Sequence, residues 1–301
     1  MNLMKSIGLI ITLLVSLSAC EEPPSAFDPV TMDPEITDPD HRPTVVELSF
    51  DSHGANLNGH LYIANGAGPH PTIILLHGFP GNEKNLDLAQ SLRRAGYNVL
   101  FFHYRGAWGS EGDYSFQNVV DDVGSALTLM RSEKAQAKYR VDPNRLILVG
   151  HSVGGFAALM GAARDPAISC VAAIAPANLG LYGAIFEDPE VAGSFADYVD
   201  GAGPIAGMSG AAAVNEVITN ADAFDLRMLA SQLNGKSVLL LAGDKDTDVP
   251  PDPFHHSLVA AYEVEPGIEL RHRVFDADHS FSWARIALTR EVLDWLDSSC
   301  L

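Results

Sequence analysis

The stretch Leu146-Ile147-Leu148-Val149-Gly150-His151-Ser152-Val153-Gly154-Gly155 restricts the possible folds of this chain more than any other. Its apolar start, rich in branched side chains, reads as a strand buried on both faces. The small residues from Gly154 to Ala158 read as a helix that begins at once. Between them stands Ser152. In a Gly-x-Ser-x-Gly turn, side chains two residues before and two after the serine would collide, so Gly150 and Gly154 answer a steric demand. Such a turn strains the serine backbone and exposes its hydroxyl at a helix N-terminus, where free N–H groups favour developing negative charge. Taken alone, the pattern also fits an ordinary strand-to-helix connection, so its chemistry depends on partners elsewhere in the chain.

Strand patterns recur at 45–50, 59–63, 72–76, 97–103, 169–174, 237–242 and 270–275, with helical spacing at 86–95, around 119–130, near 258–262 and over the last residues. Strands alternating with helices imply an α/β fold with a mostly parallel sheet and helices on both faces. The segment at about 177–235 is less regular and rich in Gly and Ala, and its length predicts a cap over the sheet's functional edge.

A serine hydroxyl becomes a nucleophile when a base takes its proton, and that base needs an acid to fix its tautomer. Asp246 follows the strand at 237–242 and His279 follows the strand at 270–275, so the order is Ser152, Asp246, His279. Asp248 is an alternative acid two residues on. His77-Gly78-Phe79-Pro80-Gly81 closes the strand at 72–76, and amides freed by Gly78 could face an oxyanion. His77, His103 and His151 stand at strand ends as candidates for structural hydrogen bonding or pocket lining, and Arg105 as one half of a buried ion pair.

Taken with Tyr104-Arg105-Gly106 in a glycine-rich loop, Val249-Pro250 and Asp278-His279, these landmarks make residues 44–301 resemble an α/β-hydrolase of the esterase and prolyl-oligopeptidase-like branches. The resemblance implies an eight-stranded, mostly parallel sheet with a cap insertion. It implies Ser152 as nucleophile, His279 as general base and acid, Asp246 as orienting acid, and the amides of Phe79 and Val153 as the oxyanion hole. Its spacing selects Asp246 over Asp248. No cofactor or metal is implied. The expected reaction is hydrolysis of small carboxylic esters with short to medium acyl chains. A serine exopeptidase of prolyl-oligopeptidase-like type is the alternative within hydrolases, and a surface-tethered binding module whose triad is idle is the alternative outside them.

Residues 1–19 have the layout of a signal peptide, with Lys5 before an apolar run and small residues before the cut. Leu17-Ser18-Ala19-Cys20 resembles a lipobox, which implies lipidation of Cys20 and membrane attachment in a bacterial cell envelope. With Glu21 rather than aspartate next, the expected destination is the outer membrane, facing the periplasm. Residues 20–43 are rich in Pro, Asp and Glu and read as a disordered tether. A net charge of −19 argues against nucleic-acid partners. The three cysteines, Cys20, Cys170 and Cys300, are scattered, and no disulfide framework is expected from them.

Overall fold

The computed structural model describes residues 27–34 and 38–300. Eight strands form one sheet: β1 (Thr44–Ser52), β2 (Ala55–Ile63), β3 (His70–Leu76), β4 (Asn98–Phe102), β5 (Val141–His151), β6 (Cys170–Ile174), β7 (Ser237–Gly243) and β8 (Glu269–Phe275), in the order β1-β2-β4-β3-β5-β6-β7-β8. β2 runs antiparallel to β1 and β4, and every pair from β4 to β8 is parallel. The carboxyl ends of β3, β5, β7 and β8 therefore open on the same edge, which is what gathers residues that lie far apart in the chain. The expected α/β-hydrolase fold is the one observed.

Strand β5 lies between β3 and β6 and is buried from Leu146 to His151, as its apolar run requires. The helices α2 (Phe116–Arg131), α3 (Glu133–Tyr139), α4 (Val153–Arg164) and α8 (His256–Glu263) bury their apolar residues in one core, whereas α1 (Leu86–Arg94) and α9 (Arg285–Ser299) bury theirs in another. In the second core Trp295 is fully buried, and its indole N–H donates to the Ser237 hydroxyl at 3.0 Å. That bond satisfies the polar end of a large apolar side chain.

Residues 177–235 hold α5 (Leu179–Ile185), α6 (Pro189–Asp200), α7 (Gly210–Thr219) and a 3₁₀ segment, Leu226–Leu233. Both Glu216 carboxylate oxygens accept the otherwise free N–H groups of Phe116 (3.1 Å) and Gln117 (2.9 Å), tying α7 to the N-terminus of α2. The loop after β4 is stitched to the same segment, because the Trp108 backbone N–H donates to the Pro204 carbonyl (2.8 Å) and the Ala206 backbone N–H to the Gly106 carbonyl (2.7 Å). Arg105 anchors that loop from below through a 2.6 Å ion pair with Asp122, which has no exposed surface.

Two expectations need correction. Residues 27–34 are not a free tether. The Asp28 carboxylate accepts the Val30 N–H (3.0 Å) and the Thr31 hydroxyl (2.6 Å) and pairs with Arg290 (2.8 Å). Arg94 also donates to the Pro29 carbonyl at 2.6 Å. The Asp28 charge is thus paired with an arginine of the folded domain. The signal segment and Cys20 lie outside the described residues. The second correction concerns Cys170 and Cys300, which form a disulfide with Cα atoms 6.0 Å apart. Their distance in sequence concealed that the start of β6 and the end of α9 meet in space. A link closing 130 residues restricts the unfolded chain strongly, so Cys170→Ser with Cys300→Ser should cost about 2–4 kcal/mol in a denaturant titration. Unchanged stability would show that the link contributes nothing.

Candidate active site

The elbow serine sits in a backbone conformation that L-residues rarely adopt, with φ 57° and ψ −121°. Neighbouring backbone holds it there. Its N–H donates to Ile174 O (2.9 Å), and its carbonyl accepts from Phe156 N–H (3.0 Å) and Ala177 N–H (3.1 Å). The two glycines act as the turn predicts: a Cβ on Gly150 would fall on the Gly154 carbonyl, and a Cβ on Gly154 would fall on the Leu76 carbonyl. Val153 opens α4, so its N–H is one of those that a helix leaves without an internal acceptor.

The loops after β7 and β8 bring Asp246 and His279 together. His279 Nδ1 lies 2.7 Å from Asp246 Oδ2, while Asp246 Oδ1 accepts the N–H groups of Asp248 (2.9 Å) and Val249 (2.8 Å). The buried Asp246 carboxylate thus has both oxygens engaged, which fixes it and assigns the proton to His279 Nδ1. Asp248 contributes its backbone N–H to this arrangement and is itself exposed at the border of the cavity. Asp246, Asp248 and His279 are also the one group of potential metal-ligating side chains among the described residues whose ligand atoms lie within 4.8 Å of one another, and two of its members are already hydrogen-bonded to each other.

His151 supports His279 from beneath. Its Nε2–H donates to the His279 carbonyl at 2.8 Å, and the two rings stand 4.7 Å apart. Burial, followed by the proximity of His279, lowers the His151 pKa to about 3, so this ring stays neutral beside the other.

The loop after β3 completes the edge. A Cβ on Gly78 would lie 2.9 Å from Ser152 Cβ and 3.5 Å from its Oγ, so the loop backbone closes directly over the hydroxyl. Its four carbonyls from His77 to Pro80 each accept a side-chain hydrogen bond. The donors are Tyr104 O–H to His77 (2.9 Å), the His77 ring to Gly78 (2.7 Å), Tyr198 O–H to Phe79 (3.4 Å) and Trp108 N–H to Pro80 (2.6 Å). In a trans peptide the N–H points opposite the carbonyl. Drawing the Gly78 carbonyl down onto the His77 ring therefore turns the Phe79 N–H the other way. Tyr104 and Trp108 belong to a loop that the sequence singles out, but their part as clamps depends on which carbonyl each one meets. Tyr198, in the cap, has no local sequence signal for this role.

These groups border a cavity of about 640 Å³ between sheet edge and cap. Ser152, Val153, Phe79 and His279 line its floor, and Tyr182, Phe186, Phe195 and Tyr198 supply aromatic surface from α5 and α6 and the residue that follows α5. A mostly apolar chamber that also carries polar groups suits a largely apolar ligand with a reactive polar bond.

Comparison with known proteins places this geometry. The chain is 30% identical over 128 residues to the thiohydrolase apmlB of Arthrinium phaeospermum, covering 41% of this chain and 40% of that one. It thus spans less than half the length of that curated relative. Among solved structures, an esterase of Pyrococcus furiosus superposes with a TM-score of 0.62 at 20% identity, over 87% of this chain and 92% of the other. An acylaminoacyl peptidase of Pyrococcus horikoshii does so with a TM-score of 0.63 at 15% identity, over 86% and 42%. These two are likenesses of fold alone. The family model described as alpha/beta hydrolase matches residues 73–291, well over half of the sequence, and on that match the chain belongs to the alpha/beta hydrolase family.

Proposed function

We propose that this protein is a serine hydrolase that cleaves carboxylic esters with short to medium acyl groups. The observation that carries the reading is that a strained serine, a carboxylate-bound imidazole and two amides border one largely apolar cavity. In the proposed cycle the Ser152 hydroxyl attacks the ester carbonyl as its proton passes to His279 Nε2. Asp246 keeps the imidazole in the tautomer whose Nε2 is free and stabilises the imidazolium that forms. The carbonyl oxygen gains negative charge, which the N–H groups of Phe79 and Val153 receive. Collapse of this intermediate breaks the bond to the alcohol oxygen, which leaves with the proton from His279. Water then attacks the acyl-enzyme by the same steps in reverse roles, releasing the acid and restoring Ser152. The partial sequence similarity to a thiohydrolase supports acyl transfer as the reaction class.

Ser152→Ala and His279→Ala should each lower kcat by about three orders of magnitude while leaving thermal stability close to that of the parent. Asp246→Asn should be severe and Asp248→Asn mild, since His279 is bonded to the former. The reverse ranking would reassign the acid.

Peptide cleavage asks for more than ester cleavage does. The amine must be protonated as it leaves, and an exopeptidase must hold the charged terminus of its substrate. Glu216, one of the cap's carboxylates, already accepts from the α2 amides with both oxygens. The best p-nitrophenyl ester of a graded acyl series should therefore exceed any aminoacyl p-nitroanilide in kcat/KM. An anilide that equals it would transfer the protein to the peptidases.

A further inference from the structure

We propose that His103 is a positioning residue that aims the Phe79 N–H at the developing oxyanion by fixing the ring of His77. The inference rests on the serine-hydrolase reading above and deepens it.

The reasoning follows one proton after another. The Gly78 carbonyl can only accept, so the His77 Nδ1 that faces it at 2.7 Å carries a hydrogen. A neutral imidazole has one N–H, which leaves His77 Nε2 with a lone pair. His103 Nδ1 lies 3.2 Å from that lone pair and must be the donor. The two rings thus form a directed chain from His103 to His77 to the Gly78 carbonyl, ending on the peptide plane that contains the Phe79 N–H. A 180° flip of the His77 ring would break both bonds at once, so the second bond selects the orientation that the first requires.

The surroundings hold this order. His77 is buried, and the loop wraps so closely that a Cβ on Gly81 would fall on its Nδ1. His103 stacks on Trp108 at 5.8 Å with 23° between planes, and Trp108 itself clamps the Pro80 carbonyl. The Lys84 ammonium lies 3.7 Å from the Trp108 ring centre. Burial first, and this nearby positive charge among the lesser causes, lowers the pKa to about 4 at His77 and about 3 at His103. Both rings are therefore neutral through the pH range where a histidine base works, and the His77 lone pair stays available.

His103→Leu removes the donor, whereas His103→Asn can place an amide N–H where Nδ1 stood. Both are to be measured in the full chain with the best ester substrate, together with the inhibition constant of a matched trifluoromethyl ketone, whose hemiketal oxygen occupies the oxyanion position. Direct loss of one oxyanion donor costs roughly a hundredfold or more, so loosening it through His77 should cost about tenfold. His103→Leu should lower kcat by about tenfold at a KM within about twofold, and weaken the ketone about tenfold, with His103→Asn restoring both. Leucine and asparagine variants that both match the parent, or an asparagine variant as impaired as the leucine one at equal thermal stability, would overturn the role of the donor. Full ester turnover by Ser152→Ala would instead overturn the serine-hydrolase reading on which the proposal stands.

Discussion

A non-glycine residue at φ 57° is costly, by about 1–3 kcal/mol, and persists only where the surroundings leave the backbone no alternative. At Ser152 that compulsion comes from β6 and the residues after it, which take up both its N–H and its carbonyl. It can act only because Gly150 and Gly154 let β5 and α4 approach without side chains. Much of the molecule can be understood as the support for this one turn. A parallel sheet supplies buried neighbours on either side of β5, and α4 packs its small residues against the same core. The serine hydroxyl is thereby placed above the sheet edge with the helix N-terminus behind it.

The same edge is furnished by loops, and loops are precise only when something holds them. In the loop after β3 the holding is complete: the four carbonyls from His77 to Pro80 are each taken by a side chain, one of them from the cap. Each such bond contributes only about 0.5–1.5 kcal/mol in net stability, but together they leave the loop one way to turn. On the opposite side of the serine, Asp246 and His151 hold His279 by its ring and by its carbonyl respectively. In the proposed reaction, preorganisation of this kind means that little rearrangement is needed as charge develops.

How much of this was legible in the sequence depends on the range of the interaction. The strand at 72–76 and the elbow announce themselves in consecutive residues, and the chain order of Ser152, Asp246 and His279 reflects where parallel strands end. The cap helices were less visible, because α7 opens on Gly and Ala, which mark no period. Local signals were nevertheless present: Asp188 before Pro189 caps α6, and Ser209 caps α7. The Cys170–Cys300 link, the Asp28–Arg290 pair and the His103–His77 contact join distant segments, and no local pattern encodes which partner will arrive.

Everything proposed for the chemistry requires Ser152 to be uniquely nucleophilic among the hydroxyls of the folded protein. Treatment with a fluorophosphonate followed by peptide mapping by mass spectrometry tests this directly. A single adduct on the peptide bearing Ser152, absent after heat denaturation before treatment, is the result predicted. An unlabelled protein, or an adduct on another residue with Ser152 unmodified, would contradict it.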